Sequence, residues 1–355
     1  MLLFCHKKRD QANPNRRVLK GIGVLPGPRT QYIDHLVPLC QIMGIPILVT
    51  NAKVQALIER YYPPMEIILA EPEDYSLDPY LENYEVFFYV EWSRMGNGTF
   101  QFHEYTCSHR VRSVCSLHGH PDKHDEIYWL EKFASEEIIL AYGPDLVEKM
   151  ERKGIEKNPI LTGNYRLAFF EKHRSFFTSR LPFEKNFPIL LYAPTWTCEN
   201  WKSELRHYFS PFFRHFEEIV STFSPSFQLL VKLHPVTRFY QPDAVEQLQS
   251  SSPDLLFLED YPPIYPLLEK TDLYVGDYSS IGYDFLYYDR PLLFSGTGQI
   301  TPLQACGDVF TKDLDWKNLP AQPKRKEVYN AVYGPPKPLE TLKQEIEDAC
   351  RSPRN

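Results

Sequence analysis

The sequence has no Cys-x-x-Cys pair, although it contains seven cysteines. A disulfide framework needs an even set of cysteines, and a structural zinc site needs closely spaced pairs, so neither feature is expected. Buried free thiols are the simpler interpretation. The cysteines therefore indicate no metal site.

The common nucleotide-binding and hydrolase motifs are also missing. The segment GIGVLPG contains Gly21 and Gly23 but lacks the third glycine of the dinucleotide fingerprint, and no Gly-Lys-Ser or Gly-Lys-Thr loop occurs. HExxH and Gly-x-Ser-x-Gly are absent too. Hydride transfer and P-loop hydrolysis are therefore poorly supported.

No apolar run approaches the roughly 20 residues that a membrane-spanning helix needs. The opening MLLFCHKKRD has too few apolar residues for the core of a secretory signal. The formal net charge of -7 argues against broad binding to nucleic acid. We expect a cytoplasmic protein with no nucleic-acid partner.

The sequence does contain a regular alternation of strand-like and helix-like segments. Its length of 355 residues favours two domains, and 43% hydrophobic with 24% charged residues is typical of globular chains. Short apolar runs such as EVFFYV alternate with amphipathic runs, which indicates βαβ units and parallel sheets. We predict an α/β chain with a first domain over 1–165, a linker over 166–186, a second domain over 187–325, and a C-terminal loop and helix over 326–355.

Polar residues follow three predicted strands of the second half. They are Thr195-Trp196, His234-Pro235 and the turn Asp277-Tyr278-Ser279-Ser280. In open α/β sheets ligands bind beyond the carboxyl ends of the strands, so these residues are expected to face one crevice. Each residue alone is more simply explained as a helix cap or a surface group.

The turn after the last of these strands precedes a predicted helix, SIGYDFLYYD. Ser279 and Ser280 then lie at a helix N-terminus, where free N–H groups and the dipole favour an anion. This makes the turn a candidate phosphate site. Asp284, one turn further on, is either a solvated residue or a partner for a ribose or a basic group.

A histidine-rich segment, SLHGHPDKHD, spans residues 116–125. Its His118, His120, Asp122 and His124 suggest a metal-dependent hydrolase, although Lys123 interrupts the His-x-His-x-Asp-His spacing of such enzymes. Surface or hydrogen-bonded histidines are the simpler alternative.

The segments LLYAPTW, VKLHP and DYSSIGYDFLYYDRPLLF, in that order, resemble the CDP-glycerol glycerophosphotransferase family, whose members build teichoic acids. HGHPDK resembles the family's His-Gly-Thr-Pro-x-Lys segment: His118, Gly119, Pro121 and Lys123 match, and His120 replaces threonine. The resemblance covers roughly residues 105–300.

The resemblance implies a GT-B architecture, in which two Rossmann-like domains face each other across a cleft. It implies two catalytic histidines: His118 is a general base on an acceptor hydroxyl, and His234 lies near the donor diphosphate. The first domain is then the acceptor side and the second the nucleotide side. The implied donor-binding residues are Thr195, Trp196, Pro235, Asp277, Ser279, Ser280 and Asp284, with Gly119, Pro121, Lys123, Lys232 and Arg238 in support.

The family further implies a CDP-alcohol donor, release of CMP, and no required metal or other cofactor. His120 and His124 are then neighbours of the base and not ligands. Acceptors in this family are lipid-linked, so peripheral contact with the inner face of a membrane is also implied.

Three positions depart from the family pattern. Thr197-Cys198 follows Trp196 where Arg-Asp is usual, Leu117 stands where tryptophan often precedes the histidine, and TGNYRLAFF lacks the usual Pro-Arg-x-Asp. Other functions therefore remain open. They are a GT-B glycosyltransferase or epimerase that uses an NDP-sugar, the metal-dependent hydrolase, and a catalytically inactive relative.

Overall fold

The computed structural model describes residues 19–70, 77–90, 111–120, 130–134, 136–196, 212–295, 301–320 and 322–353. Several residues singled out in the sequence, Pro121, Asp122, Lys123, His124, Thr197 and Cys198, lie outside these ranges. Within them the chain forms two parallel sheets of seven and six strands. The prediction of a two-sheet α/β fold is confirmed.

The first sheet has the strand order β3-β2-β1-β4-β5-β6-β7. Most of its strands are continuous apolar runs because helices cover both faces of a parallel sheet, and all five residues of β4 are buried. The strands are β1 Gly21–Leu25, β2 Ile47–Val49, β3 Ile67–Leu69, β4 Val86–Val90, β5 Arg112–Ser116, β6 Ile138–Ala141 and β7 Ile160–Leu161.

The second sheet has the order β10-β9-β8-β11-β12-β13. Its strands are β8 Ile189–Tyr192, β9 Gln228–Val231, β10 Leu256–Phe257, β11 Leu273–Gly276, β12 Leu292–Phe294 and β13 Asp308–Val309. The chain runs outward from β8 in one direction and then from β11 in the other. This reversal makes the carboxyl ends of these two strands the topological switch point, the place where ligands of such sheets usually bind.

Helices pack against both sheets. They are α1 Ile33–Met43, α2 Ala52–Tyr61, α3 Asp78–Leu81, α4 Leu130–Phe133, α5 Pro144–Arg152, α6 Tyr165–Lys172, α7 Arg174–Thr178, α8 Phe212–Phe223, α9 Pro235–Tyr240, α10 Pro242–Ser251, α11 Tyr265–Lys270, α12 Ile281–Phe285, α13 Lys324–Tyr333 and α14 Leu339–Arg351. The predicted linker thus contains most of α6 and all of α7. The exact domain boundaries stay a prediction.

The C-terminal segment differs from expectation. A loop was expected to precede the last helix, but residues 324–333 form α13. The expectation is wrong because proline-rich flanks hid a helical pattern, in which Val328 and Val332 recur four residues apart on one face. Pro323 precedes this helix and Gly334, with φ of 67°, follows it.

The last helix, α14, closes the apolar face of the first domain. It packs against α1 and α6, and its Leu342 and Ile346 are fully buried. Arg112 at the start of β5 donates to the carbonyls of Ala349 and Ser352 at the end of this helix. A cation there complements the negative end of the helix dipole. Across the described residues, every helix is too short or too polar to cross a bilayer.

Replacing Leu342 by alanine tests whether α14 belongs to the core. We expect the free energy of unfolding to fall by about 2–5 kcal/mol, because a fully buried leucine leaves a cavity. Urea unfolding followed by circular dichroism measures the change. Thr341→Ala, at the neighbouring exposed position, is the control. Equal stabilities of the two variants would show that α14 is not packed as described.

Candidate active site

The histidine-rich segment of the first domain touches the serine turn of the second. Gly119 has φ of +102°, and a Cβ placed on it would lie 2.4 Å from Ser280 Oγ and 2.8 Å from Ser280 Cβ. Only glycine suits both the backbone angle and this close approach. His118, the residue before Gly119, is therefore close to this turn, and its role there stays a prediction.

His118 follows β5 and is half-buried among aromatic rings. The ring of Tyr32 lies edge-on to it, with centroids 5.1 Å apart and an interplanar angle of 60°. The ring of His35 lies on another side at 6.3 Å and 84°. Both neighbours come from the start of α1 or the turn before it, so the first domain supplies both rings beside His118.

Asp277 joins the ends of two strands. Its Oδ1 accepts hydrogen bonds from the backbone N–H of Thr195 at 2.8 Å and of Ser279 at 3.1 Å. The side chain is 1% exposed. Thr195, Asp277 and Ser279 are thus brought together at one sheet edge, and Asp277 shapes the turn through backbone groups.

His234 is the N-cap residue of α9, three positions after the end of β9. Its Nδ1 accepts a hydrogen bond from the backbone N–H of Val236 at 3.2 Å, so a neutral ring carries its proton on Nε2. Pro235 occupies the first turn of this helix, where its missing N–H has no cost. The ring of Trp196 stacks on Tyr240 at the other end of α9, with centroids 6.1 Å apart.

Lys232 and Arg238, the expected supporting cations, have protein partners. Burial lowers the pKa of Lys232 to about 8, although the carboxylates of Asp34 and Asp260 oppose this effect. The Lys232 ammonium donates to the backbone carbonyl of Tyr261 at 2.6 Å. Arg238 is bound to Glu259, whose hydrogen bonds raise the arginine pKa. The geometry thus gives Arg238 a partner other than a phosphate.

Asp284 is neither solvated nor open to a ligand. It is 1% exposed, and its two oxygens accept from Arg166 at 2.7 and 2.6 Å. The hydroxyl of Tyr265 donates to it at 2.6 Å, and the hydroxyl of Tyr333 also donates to it. Of the two earlier alternatives, the partner for a basic group is the one observed. Direct contact with a donor is not supported, since these groups already occupy the carboxylate.

Arg166, which sequence reasoning missed, links the two halves of the molecule. Its guanidinium, 3% exposed, lies between Asp284 of α12 and Asp34 of α1, the latter at 3.1 Å. The available signal was an arginine within the apolar run YRLAFF, because a buried arginine needs a carboxylate partner. That signal does not say which carboxylate supplies the pair.

Asp34 is the less strongly paired of the two carboxyl groups. Burial raises its pKa to about 6, although Arg166 and the hydroxyl of Tyr62, which donates to Asp34 Oδ1 at 2.8 Å, favour the ionised form. The nearby charge of Asp284 also raises the pKa. One guanidinium thus faces two carboxyl groups, and the cluster is electrically neutral when Asp34 is protonated.

His120 takes part in a polar cluster of its own. Its Nε2 lies 3.0 Å from Asp145 Oδ2 and 3.0 Å from Lys149 Nζ, and its ring packs edge-on against Tyr283. Burial raises the pKa of Asp145, but hydrogen bonding and charge from His120, together with Lys149, lower it well below the usual value. In the described ranges, no three His, Cys, Asp or Glu side chains are grouped so that they could hold a metal.

Residues 168–297 match the family model of CDP-Glycerol:Poly(glycerophosphate) glycerophosphotransferase. The family resemblance of the sequence is thereby confirmed. The matched stretch includes the strand ends that carry Thr195, His234 and the Ser279-Ser280 turn. His118 lies before it, so its place in the site comes from the sequence motif and from the contact of Gly119 with Ser280.

Two curated relatives are partly similar to this chain. The teichoic acid glycerol-phosphate primase of Bacillus spizizenii is 33% identical over 117 residues, which are 32% of this chain and 26% of that protein. The teichoic acid poly(ribitol-phosphate) polymerase of the same organism is 31% identical over 146 residues, 39% of this chain and 22% of that protein. The aligned stretches thus span about a quarter of the length of either relative.

Solved structures share the fold over nearly the whole chain. A structure of the wall teichoic acid polymerase TagF with CDPG has a TM-score of 0.64 at 13% identity and covers 94% of this chain and 89% of that one. The UDP-GlcNAc 2-epimerase of Neisseria meningitidis bound to UDP-GlcNAc has a TM-score of 0.53 at 12% identity, with 93% and 99% covered. At these identities the likeness concerns the fold alone, and it confirms the predicted GT-B-like architecture.

The approach of Gly119 to Ser280 is testable by stability. We expect Gly119→Ala to lower the free energy of unfolding by about 1–3 kcal/mol more than Gly154→Ala does, because overpacking is added to the strain of a positive φ. Gly154 is the matched control, with φ of +70° and no atom within 4 Å of the position that a Cβ would occupy. The double variant Gly119→Ala/Ser280→Gly should regain most of the difference in thermal unfolding. Equal losses for the two alanine variants would contradict the contact.

The raised pKa of Asp34 predicts a pH dependence of stability. Between the usual value of 3.8 and about 6, the folded protein binds more protons at this site than the unfolded chain does. The stabilisation that Asp34 contributes is therefore complete below pH 3.8 and is lost as the pH rises through about 6. The difference in unfolding free energy between the wild type and Asp34→Asn should follow this trend in urea titrations. A difference that stays constant from pH 4 to pH 7 would refute it.

Proposed function

We propose that this chain transfers a polyol phosphate, such as glycerol phosphate, from a CDP-alcohol to an acceptor hydroxyl and releases CMP. The observation that carries the proposal is the contact between Gly119 and Ser280, which brings together two motifs of the glycerophosphotransferase pattern. The match over residues 168–297 and the fold shared with TagF support it.

In the proposed reaction, His118 removes the proton from the acceptor hydroxyl. The acceptor oxygen then forms a bond to the phosphorus that bears the polyol, and the bond from this phosphorus to the bridging oxygen breaks. The electron pair of that bond leaves on the phosphate of CMP. The reaction conserves atoms and charge, and it depends mainly on the positions of the reacting groups.

The second domain is proposed to hold the donor phosphates. The Ser279-Ser280 turn lies at the carboxyl end of β11, and Asp277 holds its backbone in place. His234 presents an Nε2–H when neutral, because its Nδ1 accepts from Val236, and an N–H donor suits a phosphoryl oxygen. Lys232 and Asp284 support these groups through the protein and are not proposed to touch the donor.

The acceptor is proposed to be lipid-linked, as the family pattern implies. The protein would then make peripheral contact with the inner face of a membrane. Leu117 stands at the position where tryptophan often precedes the histidine, and its side chain is buried in the core. The buried pairing of His120 with Asp145 explains how this chain accommodates histidine in place of threonine.

Release of CMP from CDP-glycerol in the presence of a lipid-linked glycerol phosphate in detergent tests the proposal. His118→Ala should lower kcat by about 100- to 10,000-fold, the usual contribution of a general base. His215→Ala, a histidine of α8 paired only loosely with Glu218 at 3.9 Å, is the control and should retain activity. A His118→Ala variant with nearly wild-type turnover would exclude the assigned role.

Calorimetry with CDP-glycerol, CMP and UDP-GlcNAc distinguishes the donor classes. Binding of the cytidine ligands that weakens in Ser279→Ala/Ser280→Ala supports the proposed phosphate site, whereas preferential binding of UDP-GlcNAc would favour an NDP-sugar enzyme. Nucleotide binding without transfer to any acceptor would indicate an inactive relative.

A further inference from the structure

A second histidine of the first domain is connected to the residue that precedes His118. His35, on α1, is 7% exposed, and its Nδ1 lies 2.8 Å from the hydroxyl of Tyr142. That hydroxyl donates to the backbone carbonyl of Leu117 at 3.1 Å. The chain of hydrogen bonds therefore runs from α1 to the peptide directly before His118.

The direction of these hydrogen bonds defines the state of the ring. Because the single hydroxyl hydrogen of Tyr142 is donated to Leu117, its oxygen accepts from an Nδ1–H of His35. Burial, together with the charges of Arg166 and His118, lowers the pKa of His35 well below its usual value, so the ring is neutral near pH 7. Within the described part of the chain, its Nε2 makes no hydrogen bond.

His35 itself is held firmly. The hydroxyl of Tyr165 donates to its backbone carbonyl at 2.9 Å, and the ring of Tyr165 stacks on that of Tyr142, with planes 5° apart. The His35 ring in turn lies edge-on to His118. Contacts through the ring and through the Leu117 carbonyl thus converge on His118.

We propose that His35 is a positioning residue, which sets the orientation of His118 through Tyr142 and the carbonyl of Leu117. The inference rests on the proposed function, since it gives this orientation a purpose in proton removal. His35 does not transfer the proton. It holds the base in line with the acceptor hydroxyl, where small displacements are costly to the rate.

Two substitutions of His35 separate the hydrogen bond from the bulk of the side chain. His35→Leu removes the donor, while His35→Asn places an amide N–H near the position of Nδ1. We expect His35→Leu to lower kcat by about 10- to 100-fold with KM for CDP-glycerol within about twofold of wild type, and His35→Asn to recover most of the loss.

Tyr142→Phe tests the middle of the hydrogen-bonded series from His35 to the Leu117 carbonyl. It should lower kcat about as much as His35→Leu, and the double variant should be no worse than either single one, because both changes remove the same connection. Additive losses would contradict a shared pathway. His215→Leu, on helix α8, is the control for loss of a histidine.

A second measurement does not depend on turnover. In protein labelled with ¹⁵N-histidine, the ring signals of His118 are identified by their loss in His118→Ala. They should shift in His35→Leu and return in His35→Asn, with thermal unfolding as the check that each variant is folded. Unchanged His118 signals in folded His35→Leu would overturn the positioning role. If the wild-type protein releases no CMP but the His35 variants show these shifts, only the proposed function is overturned.

Discussion

The arrangement of the site depends on one buried guanidinium. Arg166 lies between a carboxylate of the first domain and a carboxylate of the second, and it is almost fully removed from water. Burying these charges is costly, but removing one partner of such a pair typically costs about 3–5 kcal/mol, because the remaining charge is left uncompensated. The pair therefore favours the observed arrangement of the two halves over alternatives that would separate them.

The consequences extend along α12. This helix carries Asp284, and Ser280 lies directly before its first residue. Because Arg166, Tyr265 and Tyr333 hold the carboxylate, they also hold the start of the helix, where Ser280 meets Gly119. The hydrogen bonds of Asp284 with Arg166, Tyr265 and Tyr333 thus stabilise the contact between the two motifs. Asp284 serves the site through this support.

The two halves contribute different chemistry to the crevice. The first supplies imidazole rings, with His118 flanked by Tyr32 and His35. The second supplies the hydroxyls of Thr195, Ser279 and Ser280 near the carboxyl ends of parallel strands, on backbone that Asp277 holds by accepting from the N–H groups of Thr195 and Ser279. The proposed transfer of a phosphorylated alcohol would use groups of these two kinds, a base and donors to the phosphoryl oxygens.

Much of the fold could be read from local pattern. Apolar runs bounded by turns predict strands, and their alternation with amphipathic runs predicts parallel sheets, because period and length are local properties. The helix α13 was missed because proline-rich flanks outweighed a short apolar periodicity. The residues at the strand ends, such as His234 and Asp277, were recognisable because the carboxyl edge of a parallel sheet is a general binding place.

By itself, the sequence determined the two sheets, the family pattern and the residue types of the crevice. Only the tertiary structure decided the partners: Arg166 with Asp34 and Asp284, His120 with Asp145, and Arg238 with Glu259. In the first case the groups lie more than 100 positions apart along the chain. Which carboxylate a buried cation meets depends on how the sheets and helices pack, and no local periodicity contains that information.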